Sequence, residues 1–238
     1  MTLAIVTIHK GKFANLLKTI KSVDNQKKKP SKHIIIAKNL SYIQLKYINA
    51  KSRTLIHNKD KSIYNAMNIG LKITKKNHLL FLNSGDCFVN KNITEDIYNF
   101  IKKEQKCLIF KTQLVYKKNY YLPKYNFFST KSYFPHPSFI RPPVKKKMLT
   151  FDETFKIISD GIWMKKNMSK YNFKKIDKII VQHHIGGISS KPSIDLVHDK
   201  IRVSFFEFLK ECIKLFLYLI LKNKYYYQLI FKKNFDRV

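Results

Sequence analysis

The chain has 238 residues, 45% of them hydrophobic, and 47 basic side chains against 15 acidic ones give it a formal charge of +32. That length and apolar content support one sizeable core and exclude a disordered chain. Only four of the cations are arginine, and the lysines are spread through every segment. This excludes the clustered arginine forks of a nucleic-acid reader and leaves phosphorylated carriers, nucleotide sugars and anionic head groups as expected partners.

Residues 3–8 (LAIVTI) form a β-branched apolar run and read as a buried strand. After Gly11, the positions Phe13, Leu16, Leu17, Ile20 and Val23 follow helical spacing. Residues 33–37 (HIIIA) are the next strand, completing a βαβ unit and hence a parallel pair. A second helix is predicted over 62–74, with Ile63, Met67, Gly70 and Ile73 on its buried side, followed by a strand at 79–82. A third amphipathic helix covers 93–103, and 107–121 alternates like a hairpin. Residues 123–143 carry five of the seven prolines, which argues against long helices and central strands there. An ordered loop containing His136, Pro137, Ser138 and Phe139 is expected in that region, beside the site. A helix near 159–170, a strand near 173–181 and a Gly186-Gly187 turn complete the unit. The order of elements implies an α/β fold, with a mostly parallel central sheet covered by helices on both faces.

The division expected is a domain over 1–190 and a basic amphipathic helical tail over 191–238. In the tail, Glu207, Lys210, Glu211 and Lys214 share one side of a helix, with Phe205, Phe206, Leu209, Ile213, Phe216, Leu217 and Ile220 elsewhere. The uninterrupted apolar stretch 215–221 is seven residues long, far below the about 20 needed to span a bilayer. Two readings of the tail stand: packing on the domain or a partner chain, and peripheral docking on a membrane through 203–235. Three scattered cysteines, Cys87, Cys107 and Cys212, with no C-x-x-C pair, fit reduced thiols. The first apolar run is too short for a signal-peptide core, so a cytoplasmic location is expected, peripheral on the inner membrane face if the tail docks there.

Acids are scarce, which makes three aspartates conspicuous. Asp86 follows an apolar strand behind Asn83-Ser84-Gly85; it reads as a turn residue or as a carboxylate placed where α/β sheets bind ligands. Asp60 precedes the second helix and reads as its cap or as part of a binding loop. Asp160 opens the helix near 159–170 and reads as a cap or as a general base. His136 and the pair His183-His184 are the imidazoles of interest. No H-E-x-x-H, P-loop or G-x-G-x-x-G occurs, which argues against a dedicated zinc site, a kinase and a dehydrogenase.

The block 60–86, DKSIYNAMNIGLKITKKNHLLFLNSGD, resembles the family 2 glycosyltransferases of the colanic-acid type, whose pattern is roughly D-x-G-I-Y-D-A-M-N-K-G followed by F-L-N-S-G-D. The segment ending at Asp160, the loop histidine His136 and the 186–189 turn resemble further family motifs. The resemblance implies a GT-A-like domain and inverting transfer of a sugar from a nucleoside-diphosphate sugar to a glycan or lipid-linked acceptor of a surface polysaccharide. It further implies a divalent cation (Mn or Mg) on Asp86, nucleotide-sugar contacts from Thr7, Asp60, Asn68, Asn83 and His136, and Asp160 as the base. The chain departs from the family at 34–41 (IIIAKNLS), where members carry V-D-G-G-S-x-D. That departure keeps open a second reading, a catalytically degenerate scaffold that binds glycan or partner enzymes.

Overall fold

The computed structural model describes residues 1–49, 53–57, 62–116, 118–123, 135–145, 147–185 and 191–237. Strands β1 (Leu3–His9), β2 (Lys32–Ala37), β3 (Thr54–His57) and β4 (His78–Phe81) run parallel in the order β3-β2-β1-β4. β1 is buried along its whole length, as a parallel strand covered on both faces must be, and its unbroken apolar run follows from that. Helix α1 (Phe13–Asp24) sets Leu16 and Ile20 against Ile35 and Ala37 on one face. Helix α3 (Ile63–Ile73) sets Tyr64, Met67 and Leu71 against Val6, Ile8, Ile34 and Ile36 on the other. Helix α2 (Tyr42–Asn49) and β3 carry no sequence prediction. α2 has a weak apolar stripe, and β3 is only four residues long.

Two expectations for α3 are corrected. Its buried stripe is Tyr64, Ala66, Met67, Asn68, Gly70 and Leu71, while Ile63 and Ile73 face outward. Tyr64 stacks on Phe151 on that buried side. Its cap is Ser62, whose hydroxyl accepts from the Asn65 amide at 3.0 Å. Gly70 lets α3 approach β1 closely, since a Cβ there would lie 2.8 Å from Val6 Cγ1.

Beyond β4 the sheet is mixed, in the order β10-β7-β6-β8-β4. β6 (Cys107–Tyr116) and β7 (Asn119–Pro123) form the expected hairpin, with Lys118 in the turn at φ 67. Strand β8 (Phe139–Arg141) lies between β6 and β4, antiparallel to both. A central strand in the proline-rich region contradicts the sequence expectation. Its prolines, Pro137 and Pro142, fall outside the three residues that pair, so the ladder keeps its N–H donors. Helix α4 (Ile93–Lys103) covers this half of the sheet with Ile93, Ile97 and Ile101. Helix α5 (Ser159–Tyr171) leads into β9 (Phe173–His184), which runs parallel to β6 and also holds the short β5 (Cys87–Phe88). Helices α6 (Ile194–Ile201) and α7 (Phe205–Asn234) follow, and β10 (Phe235–Arg237) returns to pair with β7.

Two histidines inside this frame are neutral. Burial, reinforced by the Arg53 charge, lowers the His33 pKa to about 3. Burial likewise takes His78 to about 4, against a hydrogen bond to Thr2 and aided by the Arg141 charge. Once unfolded, both bind protons near the ordinary value of 6.5. Stability is therefore expected to fall as pH drops from 6.5 toward these values, by about 1.4 kcal/mol per pH unit for each histidine. Urea midpoints at neutral pH and near pH 5 measure this directly, and equal midpoints would contradict it.

Candidate active site

The chain continues beside β1 after β4 ends: Leu82 N donates to Val6 O at 3.0 Å and Ser84 N to Ile8 O at 3.1 Å. It then turns, with Asp86 N donating to Asn83 O at 2.9 Å and Gly85 at φ 108, a region that favours glycine. Thr19 of α1 clamps this turn. Its hydroxyl accepts from Gly85 N at 2.9 Å and lies 3.3 Å from Asn83 O. Asp86 is thereby fixed at the C-terminal edge of the parallel strands, where such sheets place ligands. It is only 4% exposed, and His183 at the end of β9 donates to it from Nδ1 at 2.7 Å. Burial pulls the His183 pKa down, but the Asp86 charge and hydrogen bond, with Asp160 behind them, outweigh it and raise the value.

Asp160 arrives from a different part of the chain, in the first turn of α5. The loop before it is held on two sides. From α3, Asn68 donates to Phe151 O at 3.1 Å and accepts from Phe151 N at 2.8 Å, and Asn65 and Asn68 both donate to Glu153. The Tyr64 hydroxyl accepts from Ser159 N at 3.1 Å. From α6, the fully buried Asp199 accepts from the backbone amides of Lys156 (2.9 Å), Ile157 (2.7 Å) and Ile158 (3.3 Å). Asp199→Ala would strand those amides, so a stability loss of about 3 kcal/mol is expected. A shift in urea midpoint measures it, and no shift would refute the role.

His136, in the 3₁₀ turn His136–Ser138, lies between Asn83 and Asp160. Asn83 donates from Nδ2 to His136 Nε2 at 3.0 Å, which puts the ring proton on Nδ1, and Nδ1 lies 3.3 Å from Asp160 Oδ2. The His136 and His183 rings meet edge-on with centroids 6.2 Å apart. Asn83, Asp86, His136, His183 and Asp160 thus form one cluster at one sheet edge, drawn from four separate elements.

Other sequence candidates lie elsewhere. The Thr7 hydroxyl is fully buried and hydrogen-bonded to His33 Nε2 at 3.0 Å. Asn68 is committed to the Phe151 backbone and to the Glu153 carboxylate. Asp60 and the Gly186-Gly187 turn lie outside the described residues. Asp160 is inside the helix, the cap position being Ile158. Sequence reasoning missed Asp199 and underrated His183. β9 runs three residues beyond the expected 181, and that extension carries His183 to Asp86.

Among the described residues no three His, Cys, Asp or Glu side chains converge as a metal cage. The Asp86 carboxylate offers one donor and the His183 imidazole a second once the proton on Nδ1 is released, and the buried Asn83 Oδ1, three residues before Asp86, has no hydrogen-bond partner. An oxygen-plus-imidazole pair with an open side fits a divalent cation that takes its remaining ligands from phosphate and water.

A parallel half-sheet with a carboxylate at a strand tip, extended by antiparallel strands and completed by a second carboxylate at a helix start, defines a GT-A-like α/β fold. The chain belongs to glycosyl transferase family 2, whose family model matches residues 4–191. Among solved structures it is similar to S. aureus TarS (residues 1–349) in complex with UDP, with TM-score 0.66 and 17% identity over 89% of this chain and 68% of that one. TarS with UDP-GlcNAc gives TM-score 0.67 and 16% identity over 89% and 69%. GalNAc-T7 with UDP, GalNAc and Mn2+ gives TM-score 0.55 and 12% identity over 93% of this chain and 51% of that one. No curated protein matches the chain.

Proposed function

We propose that this family 2 enzyme is an inverting hexosyltransferase of the colanic-acid-like subgroup. It would move a sugar from a nucleoside-diphosphate sugar to a glycan or lipid-linked acceptor of a surface polysaccharide such as lipopolysaccharide, capsule or exopolysaccharide. The observation that carries this reading is the convergence of Asp86 and Asp160 on one sheet edge through Asn83, His136 and His183. In this reading residues 1–190 form the transferase unit, and 191–238 are its tail.

Asp160 takes the proton of the acceptor hydroxyl as that oxygen bonds to the anomeric carbon. The bond from that carbon to the donor phosphate breaks in the same displacement, inverting the centre. One base and one displacement need no covalent intermediate. His136 sits beside Asp160: the Asn83 amide fixes its tautomer with the proton on Nδ1, which lies 3.3 Å from Oδ2. Asp86 and His183 would hold a divalent cation, Mn or Mg, which when bound offsets charge on the departing diphosphate. The UDP, UDP-GlcNAc and Mn2+ in the similar structures support a uridine donor and a cation.

The stretch 38–41 after β2 holds no carboxylate, and Asn39 sits there at φ 59, which favours the scaffold reading as the alternative. A panel of nucleotide sugars assayed for Mn-dependent hydrolysis, with calorimetric titration of UDP and GDP, separates the two. Turnover with one donor supports the enzyme; no nucleotide binding at all supports the scaffold.

A further inference from the structure

Helix α7 has an apolar side turned outward. Phe205, Leu209, Ile213, Phe216, Leu217 and Ile220 all face away from the protein, with Phe205 67%, Ile213 60% and Phe216 63% exposed. At about 100° per residue these six fall within a sector of about 120°, and they extend for about 22 Å along the axis. The inward side packs on the domain through Tyr218, Leu221 and the buried Tyr226, beside Tyr116, Tyr121 and Ile185. Glu211 is only 3% exposed and pairs with Lys214 at 3.0 Å, and Glu207 pairs with Lys200 and Lys210, each at 3.2 Å. A soluble helix normally turns a polar side to water, and an apolar stripe of this length is not left bare.

We infer that this face of α7 docks in the plane of an anionic bilayer surface. Charge selects that occupant. Lys210 and Lys214 flank the stripe with half-exposed side chains, Glu211 is buried and paired with Lys214, and the partly exposed Glu207 is held by Lys200 and Lys210. The whole chain carries +32, which repels a second copy and attracts anionic lipid. Insertion is in-plane, since among the described residues no helix is long and apolar enough to cross a membrane. The inference stands apart from the transfer chemistry, because lipid binding is read without donor or acceptor.

Flotation of the full chain with vesicles of phosphatidylcholine, alone or mixed equally with phosphatidylglycerol, tests it. The protein is expected to float with the mixed vesicles, less with the neutral ones, and less again as salt is added. The double variant Ile213→Ser/Phe216→Ser should lower partitioning at least ~10-fold with its thermal midpoint unchanged, both side chains being outside the core. Failure of the wild type to float with either vesicle overturns the inference, whatever the variant does. Equal flotation of wild type and variant overturns it as well. So does a vesicle-free dimer that the double variant dissociates, since a second copy would then cover the face.

Discussion

Asp86→Asn is expected to lower kcat/KM about 10²–10³-fold while leaving the fold intact. The amide is isosteric and still accepts the His183 hydrogen bond, so the turn held by Thr19 and Gly85 survives. What disappears is the negative charge at the strand tip. Two readouts follow from that charge. Mn-dependent nucleotide binding should weaken, because one of the two donors becomes neutral. The His183 imidazole should titrate lower, because burial would no longer be opposed by the carboxylate. The sign also appears in stability. With its folded pKa above the unfolded 6.5, His183 contributes stabilisation that is fully present below 6.5 and is lost as pH rises through the raised value. The variant should lack that contribution. Wild-type turnover in Asp86→Asn would refute the assignment of this carboxylate.

Asp160→Asn is expected to act differently. Loss of a general base costs typically 10²–10⁴ in rate, and here it should fall on kcat, with calorimetric binding of nucleotide and Mn kept. The side chain sits at the start of α5 with Gly161 N donating to Oδ1 at 2.8 Å, a contact the amide oxygen preserves. The fold should therefore be unchanged, and circular dichroism serves as the control. The two variants together discriminate roles: Asp86→Asn loses binding and rate, Asp160→Asn loses rate alone. A variant at Asp160 that binds poorly but turns over normally when saturated would make this residue a binding group.

The apolar runs of β1, β2 and β4 and the amphipathic stripes of α1 and α4 were legible in the chain because each is local: burial on both faces demands unbroken apolar residues, and burial on one face demands helical spacing. The strand-tip motif ending at Asp86 and the helix start at Asp160 were legible for the same reason, as was the apolar content of α7. Contacts between residues far apart in sequence were not. Nothing near Asp199 distinguishes it from a solvated helix acid such as Asp195, yet three amides of the Asp160 loop converge on it across more than 40 positions. β8 hides between prolines because a strand of three residues has no period to read. His183 joins Asp86 across 97 positions only because β9 pairs beside β6 and overshoots its apolar run. Which apolar side chains of α7 would turn inward was likewise set by packing, since Tyr218, Leu221 and Tyr226 are buried only where Tyr116, Tyr121 and Ile185 meet them. Patterning along the chain decides which segments are strands and helices; the pairing of distant segments decides which side chains meet, because that pairing is what removes water from between them.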